Sequence, residues 1–439
     1  MSMEQLNAMN GRLCSCGKIH SFDAKIVTGC GAVKKIPDFV AGFGAKKVFV
    51  LSDKNTFPAA GAQVCGILKD SGISYVSYSF PEETLEPDEK SVGSAVMHYD
   101  AGCDLVIGVG SGVINDIGKI LSAVSGKPYI IVGTAPSMDG YASATSSMTR
   151  DGLKISLPSR GADVIIGDMD ILRNAPIKMM KAGLGDMLAK YVSICEWRIA
   201  KIIAGEYYCE EIAALIRSAV QRCVENAAGL LKREEAAVRA VFEGLVIGGV
   251  AMNYAGLSRP ASGVEHYISH VVDMRGAEFG TPVELHGIQC AVGTRIAVGL
   301  YEKLKAVTPD KKKALTSARK FDYDSWSEEL RHLLGKGAER MIALEAKEGK
   351  YDVNAHKKRL EIILQDWYAL LKIMDEELPT FPQLEELLDK MEMPKTLGEI
   401  GTADEMLDVI FRATKDIRDK YVLSRLAWDL GVLDELLQS

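Results

Sequence analysis

Residues 103–120 read CDLVIGVGSGVINDIGKI. An apolar run closes on alternating glycines, Gly108, Gly110 and Gly112, and passes directly into a pattern with helical spacing. Such a run suits a strand covered on both faces in a parallel sheet. Glycines in the turn that follows let backbone N–H groups approach a pyrophosphate at a helix N-terminus, where the dipole also favours an anion. A tight strand-to-helix turn needs glycine for its own sake, so the loop taken alone carries either meaning. It also departs from the strict G-x-G-x-x-G fingerprint, because Asn115 stands where the third glycine counted from Gly110 would fall.

The same texture extends to both sides. KKVFVLSD (46–53), ISYVSYSF (73–80), YIIVGTAP (129–136) and DVIIGD (163–168) are short β-branched runs, and segments such as 59–71 and 88–101 between them carry apolar residues at helical spacing. This alternation predicts an α/β domain with a parallel sheet over residues 1–176. Beyond Pro176 strands disappear, and helical patterns run through 190–205, 210–231, 234–256, 287–304 and 357–375. Residues 177–439 are therefore expected to form an all-α domain. No repeat of fixed period is visible.

Composition bounds the function. With 439 residues, 47% hydrophobic and 25% charged, the chain has the balance of a globular protein of two or three domains, which excludes disorder. Lys plus Arg number 52 against 59 Asp plus Glu, a formal charge of −7 that argues against a dedicated nucleic-acid surface. Nine scattered cysteines without a pairing pattern suit a reducing cytoplasm. No signal-peptide pattern opens the chain and no stretch has the length of a membrane span.

Three features suggest ligands. Asp53 closes the first predicted strand, where a carboxylate can accept from ribose hydroxyls and repel a 2′-phosphate, although SDKN is equally good turn chemistry. The loop TAPSMDGYASATSSM (134–148) concentrates small and hydroxyl side chains with one carboxylate, Asp139, after a predicted strand end. His266, His270 and His286 fall within 21 residues, the first two at i and i+4, and imidazoles suit zinc, nickel or iron. Tyr267 follows His266, so the H-E-x-x-H protease motif is absent. Asp186 in GLGDMLAKY offers an oxygen ligand or an ordinary helix cap. A second grouping, Cys14, Cys16 and His20, could hold a metal but lacks a partner pair in sequence.

Five motifs in order, GVGSGVINDIGK (108–119), TAPSMDGYASATSS (134–147), GLGDMLAKY (183–191), SRPASGVEHYISH (258–270) and ELHGIQCAVGT (284–294), make the chain resemble the family uniting iron-containing alcohol dehydrogenases, glycerol dehydrogenase and dehydroquinate synthase. Within that family the resemblance points to the bacterial, arabinose-operon-associated sn-glycerol-1-phosphate dehydrogenase branch. It implies NAD(P) across the N-terminal sheet, one divalent metal (zinc, nickel or iron) in the helical domain, and a cytoplasmic homodimer serving phospholipid metabolism. It implies reversible reduction of dihydroxyacetone phosphate to sn-glycerol 1-phosphate, with the metal polarising the C2 carbonyl. Residue by residue, Gly110, Ser111, Gly112, Val113, Ile114, Asp116, Thr134, Ala135, Pro136, Ser137 and Ser143 would contact the cofactor, with Asp53 at the ribose. Asp186, His266 and His286 match metal ligands, Asp186 also facing substrate. Asp139 and His270 match substrate-side catalytic groups. Ser111 interrupts the family's three consecutive glycines. Arg259, in the loop before His266, is the candidate cation for the substrate phosphate.

A glycerol dehydrogenase would share these residues without needing a phosphate-binding cation. A dehydroquinate synthase-like lyase has a glutamate at the position of Asp186. A nucleotide sensor would keep the fold without turnover.

Overall fold

The computed structural model describes residues 3–150 and 153–438. Its strands are β1 (Lys25–Gly29), β2 (Lys47–Asp53), β3 (Ser74–Phe80), β4 (Leu105–Gly110), β5 (Tyr129–Gly133), β6 (Thr145–Arg150), β7 (Leu153–Pro158) and β8 (Val164–Asp168). Six of them form one parallel sheet in the order β1-β8-β5-β4-β2-β3. β4, β5 and β8 are buried at every position, which is why their sequences are apolar throughout rather than alternating. Val48, Val50, Ile107, Val109, Ile130, Val132 and Ile166 make the centre of the core, with Val33, Val40, Val64 and Leu68 packed against them from the connecting helices.

Every strand expected from the sequence is present. Two additions were not expected. β1, KIVTG, is a five-residue edge strand with one side open, so it shows no long apolar run. β6 and β7 pair as an antiparallel ribbon apart from the main sheet, so the polar segment starting at Thr134 ends as a strand rather than as loop. Ser146 and Met148 point inward and Thr145 and Ser147 outward, an alternation hidden because the inward residue at 146 is polar.

The chain reverses direction across the sheet at one place. β2 leads outward to β3, and the next strand, β4, returns to the other side of β2. In open parallel sheets the crevice outside the strand C-termini at such a switch point is where ligands bind. Asp53 ends β2 and Gly110 ends β4, so both lie at this reversal.

The helices that matter to the site are α1 (Gly112–Ser125), α2 (Ile177–Ala204), α3 (Glu210–Leu230), α4 (Glu235–Ala255), α5 (Val264–Phe279) and α6 (His286–Lys305). Packing groups the chain up to Met187 with Ala214–Leu257 in one unit, and Leu188–Ala213 with the chain from Ser258 onward in a second. A cut at residue 176 would instead assign the start of α2, most of α3 and all of α4 to the later helices. Close approach explains why they go with the sheet. A Cβ at Gly167 of β8 would lie 2.2 Å from the Phe242 ring of α4, and one at Gly183 of α2 only 1.9 Å from the Pro136 carbonyl oxygen. No helix among the described residues is long and apolar enough to cross a membrane.

Candidate functional site

In the sheet-bearing unit the loop after β4 is built for close backbone approach. Ser111 precedes α1 without a side-chain cap bond, and the first turn of the helix carries no acidic residue to compete with an anion at its N-terminus. A Cβ at Gly110 would collide with the Ile114 side chain at 2.5 Å, so glycine is needed for the helix to start this close to the strand. Ser111 and Ser137 hydroxyls meet at 2.5 Å, and Thr134 N–H donates to the Gly110 carbonyl at 3.0 Å, joining the two predicted cofactor loops. Buried Tyr141 locks them from beneath, its hydroxyl donating to the Ala135 carbonyl at 2.6 Å. Burial pushes that phenol up to about 12, so it serves as a neutral donor.

The remaining cofactor candidates divide. Val113 and Ile114 lie in the first turn of α1 and Ala135 and Pro136 in the loop after β5, all at the C-terminal edge of the sheet. Asp116 faces inward to an ion pair with fully buried Lys119 at 2.8 Å, and that ammonium donates to the Thr145 carbonyl. Ser143 bonds Thr145 through their hydroxyls at 2.9 Å. Asp53 keeps both of its sequence meanings. Its Oδ1 accepts from the N–H groups of Asn55 and Thr56, each at 2.8 Å, while Oδ2 takes no part in the turn. Asp53→Ala is therefore expected to weaken NADH more than NADPH, measured by fluorescence titration of each coenzyme; an unchanged ratio would reduce Asp53 to a turn residue.

Asp139 and Asp186 are brought together. The Asp139 N–H donates to Asp186 Oδ2 at 2.9 Å, and Asp186 is fully buried on α2, three residues after Gly183. Since the atom that blocks a Cβ at Gly183 is a backbone oxygen, it cannot rotate away. Gly183→Ala is expected to cost at the upper end of ~1–3 kcal/mol in urea unfolding and to weaken NADH binding by displacing Pro136. Wild-type stability in this variant would show that the two segments are free to separate.

In the second unit α5 and α6 carry the histidines. The His266 and His286 rings sit 5.0 Å apart between centroids, and His270 lies 6.2 Å from His286. Each of the first two has its Nδ1 engaged: His266 by the Glu265 carboxylate at 2.8 Å, His286 by the Ser269 hydroxyl at 3.1 Å. Ser269 is itself fixed, donating to Gln289 Oε1 at 2.6 Å. Tying Nδ1 in this way is how metal-binding imidazoles are oriented, with Nε2 left as the ligand atom. Cys290, one turn along α6, brings its sulfur to 3.6 Å from His286 Nε2, and His266, His286 and Cys290 form a candidate metal group.

Sequence reasoning passed over Cys290, Ser269 and the carboxylates beneath them. Cys290 at i+4 from His286 was the available signal. Buried Glu196 accepts the Val264 N–H at 2.9 Å, and Glu265 accepts the Gly263 N–H at 2.7 Å, so two carboxylates cap the start of α5. Burial raises both above the ordinary carboxylate range, Glu196 further through the charge of Glu265.

Arg259 sits otherwise than a phosphate clamp requires. Its side chain is 2% exposed and its guanidinium grips Glu206 in a two-pronged pair, Nε to Oε2 at 2.6 Å. Its charge is thus balanced within the protein; only Nη1 has no partner among the described residues. The surroundings favour support of the loop before His266.

A family model for iron-containing alcohol dehydrogenase matches residues 27–176. The chain is 33% identical over 294 residues to the glycerol-1-phosphate dehydrogenase [NAD(P)+] of Halalkalibacterium halodurans, covering 66% of this chain and 74% of that one. It is 31% identical to the Bacillus subtilis protein of the same name, over 67% and 77% of the two chains, and 33% identical to that of Methanosarcina mazei, over 63% and 76%. Among solved structures, Schizosaccharomyces pombe glycerol dehydrogenase superposes with a TM-score of 0.62 at 17% identity, over 96% of this chain and 91% of that one. The iron-containing alcohol dehydrogenase of Thermococcus thioreducens gives 0.60 at 14%, over 96% and 100%. At such identities these two likenesses concern the fold.

Proposed function

From the premise that this chain belongs to the NAD(P)-dependent glycerol-1-phosphate dehydrogenases, within the iron-containing alcohol dehydrogenase group, we propose how its own residues carry the reaction. It is an NAD(P)-linked oxidoreductase that interconverts dihydroxyacetone phosphate and sn-glycerol 1-phosphate. The single observation that carries this is 31–33% identity to bacterial proteins of that name over about three quarters of their length.

The switch-point crevice takes the dinucleotide, with the α1 N-terminus and the Gly110–Gly112 backbone toward the pyrophosphate and the Thr134–Ser137 loop and Ser143 along its flank. His266 and His286 would hold the divalent metal, with Asp186 as the carboxylate ligand that the resemblance implies. Two imidazoles with Nδ1 already engaged suit such an ion, and Asp186 is a buried carboxylate of the kind it takes. Bound there, the metal supplies Lewis acidity to the substrate oxygen while the nicotinamide supplies hydride. Asp139, whose N–H already bonds Asp186, orients a substrate hydroxyl. His270, one turn from His266 on α5 and partly exposed, passes the proton to and from solvent. The enzyme works as a homodimer in a reducing cytoplasm, a setting suited to its nine free cysteines.

The neutralisation of Arg259 by Glu206 gives the rival substrate, unphosphorylated dihydroxyacetone, its one point of support. Metal-supplemented NADH oxidation with dihydroxyacetone phosphate, dihydroxyacetone and glyceraldehyde phosphate side by side separates the two. The phosphate ester is expected to lead in kcat/KM; a preference for dihydroxyacetone would make the enzyme a glycerol dehydrogenase.

A further inference from the structure

We propose that Cys14, Cys16 and His20 form a second metal site, a thiolate site of the structural zinc class, that staples the N-terminal loop to the sheet-bearing unit. The sequence RLCSCGKIH (12–20) makes a short knuckle. Cys14 N–H donates to the Lys18 carbonyl at 2.8 Å and Gly17 N–H to the Cys14 carbonyl at 2.9 Å, while Leu13 and Ile19 form an antiparallel bridge. Gly17 turns the chain at φ 82°, a conformation a side chain would resist. Outside the knuckle, Gly11 N–H donates to the His20 carbonyl at 2.7 Å, and Asn10 and Phe22 exchange two further hydrogen bonds.

The three side chains converge within this frame. Their ligand atoms all lie within 4.8 Å of one another. Cys16 Sγ is 3.4 Å from His20 Nε2. A tetrahedral zinc ion with bonds of about 2.3 Å to sulfur and 2.0 Å to nitrogen spaces those two atoms about 3.5 Å apart. The other ring nitrogen, Nδ1, lies 2.9 Å from the Tyr254 carbonyl oxygen of α4. A carbonyl can only accept, so Nδ1 carries the proton and Nε2 keeps its lone pair on the side of the sulfurs. A histidine whose far nitrogen is tied to a backbone carbonyl has the orientation metal sites require. His20 is 1% and Cys14 5% exposed, so these two donors are withdrawn from water, while Cys16 is half-buried.

Packing does not account for this burial. The two apolar side chains of the knuckle, Leu13 and Ile19, point outward, exposed by 67% and 65%. A loop that turns its apolar residues to solvent and its thiols and imidazole inward gains little from the hydrophobic effect, whereas an ion bound there would order it. A pair of sulfur donors distinguishes this site from the set at His266, His286 and Asp186, beside which stands the single sulfur of Cys290, and favours zinc over magnesium. The fourth tetrahedral position is left to a group outside the knuckle.

The test is metal content of the full-length protein purified from zinc-containing medium under reducing conditions. The double variant Cys14→Ser/Cys16→Ser is expected to hold about one zinc fewer per chain than wild type, and His266→Ala also about one fewer, with the two losses additive. In cobalt-substituted protein, the near-ultraviolet thiolate-to-cobalt charge-transfer band should lose the share carried by Cys14 and Cys16 in the serine double variant and keep it in His266→Ala, any remainder in the double variant belonging to Cys290 beside His286. Should the double variant fold poorly, wild type answers alone: a chelator should expose Cys14 and Cys16 to thiol labelling, identified by peptide mapping, and zinc should protect them again. Equal zinc in wild type and double variant, absence of the charge-transfer band, or labelling indifferent to zinc would each overturn the site and leave a hydrogen-bonded thiol–imidazole cluster. Failure of the catalytic assignment would instead appear as His266→Ala retaining its metal.

Discussion

His266→Ala and His286→Ala are each expected to abolish NADH oxidation while leaving NADH binding close to wild type. The pyrophosphate and ribose candidates, Gly110–Gly112 and Asp53, stand on the parallel sheet, and neither histidine contributes to the hydrogen bonds that shape those loops. Deleting an imidazole would take a ligand from the proposed set and strand its support, the Glu265 carboxylate in one case and the Ser269 hydroxyl in the other. Metal affinity falls on the order of 10-fold to 100-fold when only such a supporting group is lost, and further when the ligand itself goes. Ser269→Ala should therefore show the smaller effect, an activity restored by excess metal. Either alanine variant that kept wild-type turnover after chelator treatment and dialysis would remove its histidine from the ligand set.

The second large effect is expected at Arg259. Breaking a buried ion pair from one side costs about 3–5 kcal/mol when both partners are enclosed. Glu206 keeps 27% of its side chain exposed against 2% for Arg259, so Arg259→Ala is expected to lose less, about 2–4 kcal/mol in urea unfolding. Glu206 also accepts the Tyr421 N–H at 3.3 Å, so its release would loosen the chain near Lys420, which donates to the Ser262 carbonyl in the loop before His266. Damage should then reach dihydroxyacetone phosphate and dihydroxyacetone alike. Glu206→Gln should reproduce much of it, since the guanidinium would lose its counter-charge. A loss confined to the phosphorylated ketone, with stability unchanged, would restore Arg259 as the phosphate clamp through its Nη1 group.

The sequence by itself determined the strands whose burial is complete. LVIGVG and YIIVG are apolar at every position because neither face meets water, and that periodicity survives without any structure. It determined the loop proposed for the cofactor as a strand-to-helix turn and the histidine cluster as a pair one turn apart with a third nearby. The edge strand KIVTG and the ribbon 145–158 were illegible for the opposite reason: with one face open or a polar residue facing inward, burial leaves no apolar signature.

Only the tertiary structure decided what the polar residues are for. Arg259 and Glu206 lie 53 positions apart, so no local pattern could reveal that one neutralises the other. The same holds for His20 and Tyr254, 234 positions apart, where a backbone carbonyl fixes the tautomer and turns an ambiguous C-x-C into a converged donor set. Periodicity records which side of an element avoids water, because every residue on that side pays the same hydration cost. A hydrogen bond or ion pair is instead a relation between two particular atoms, and it comes into being only when folding sets them side by side.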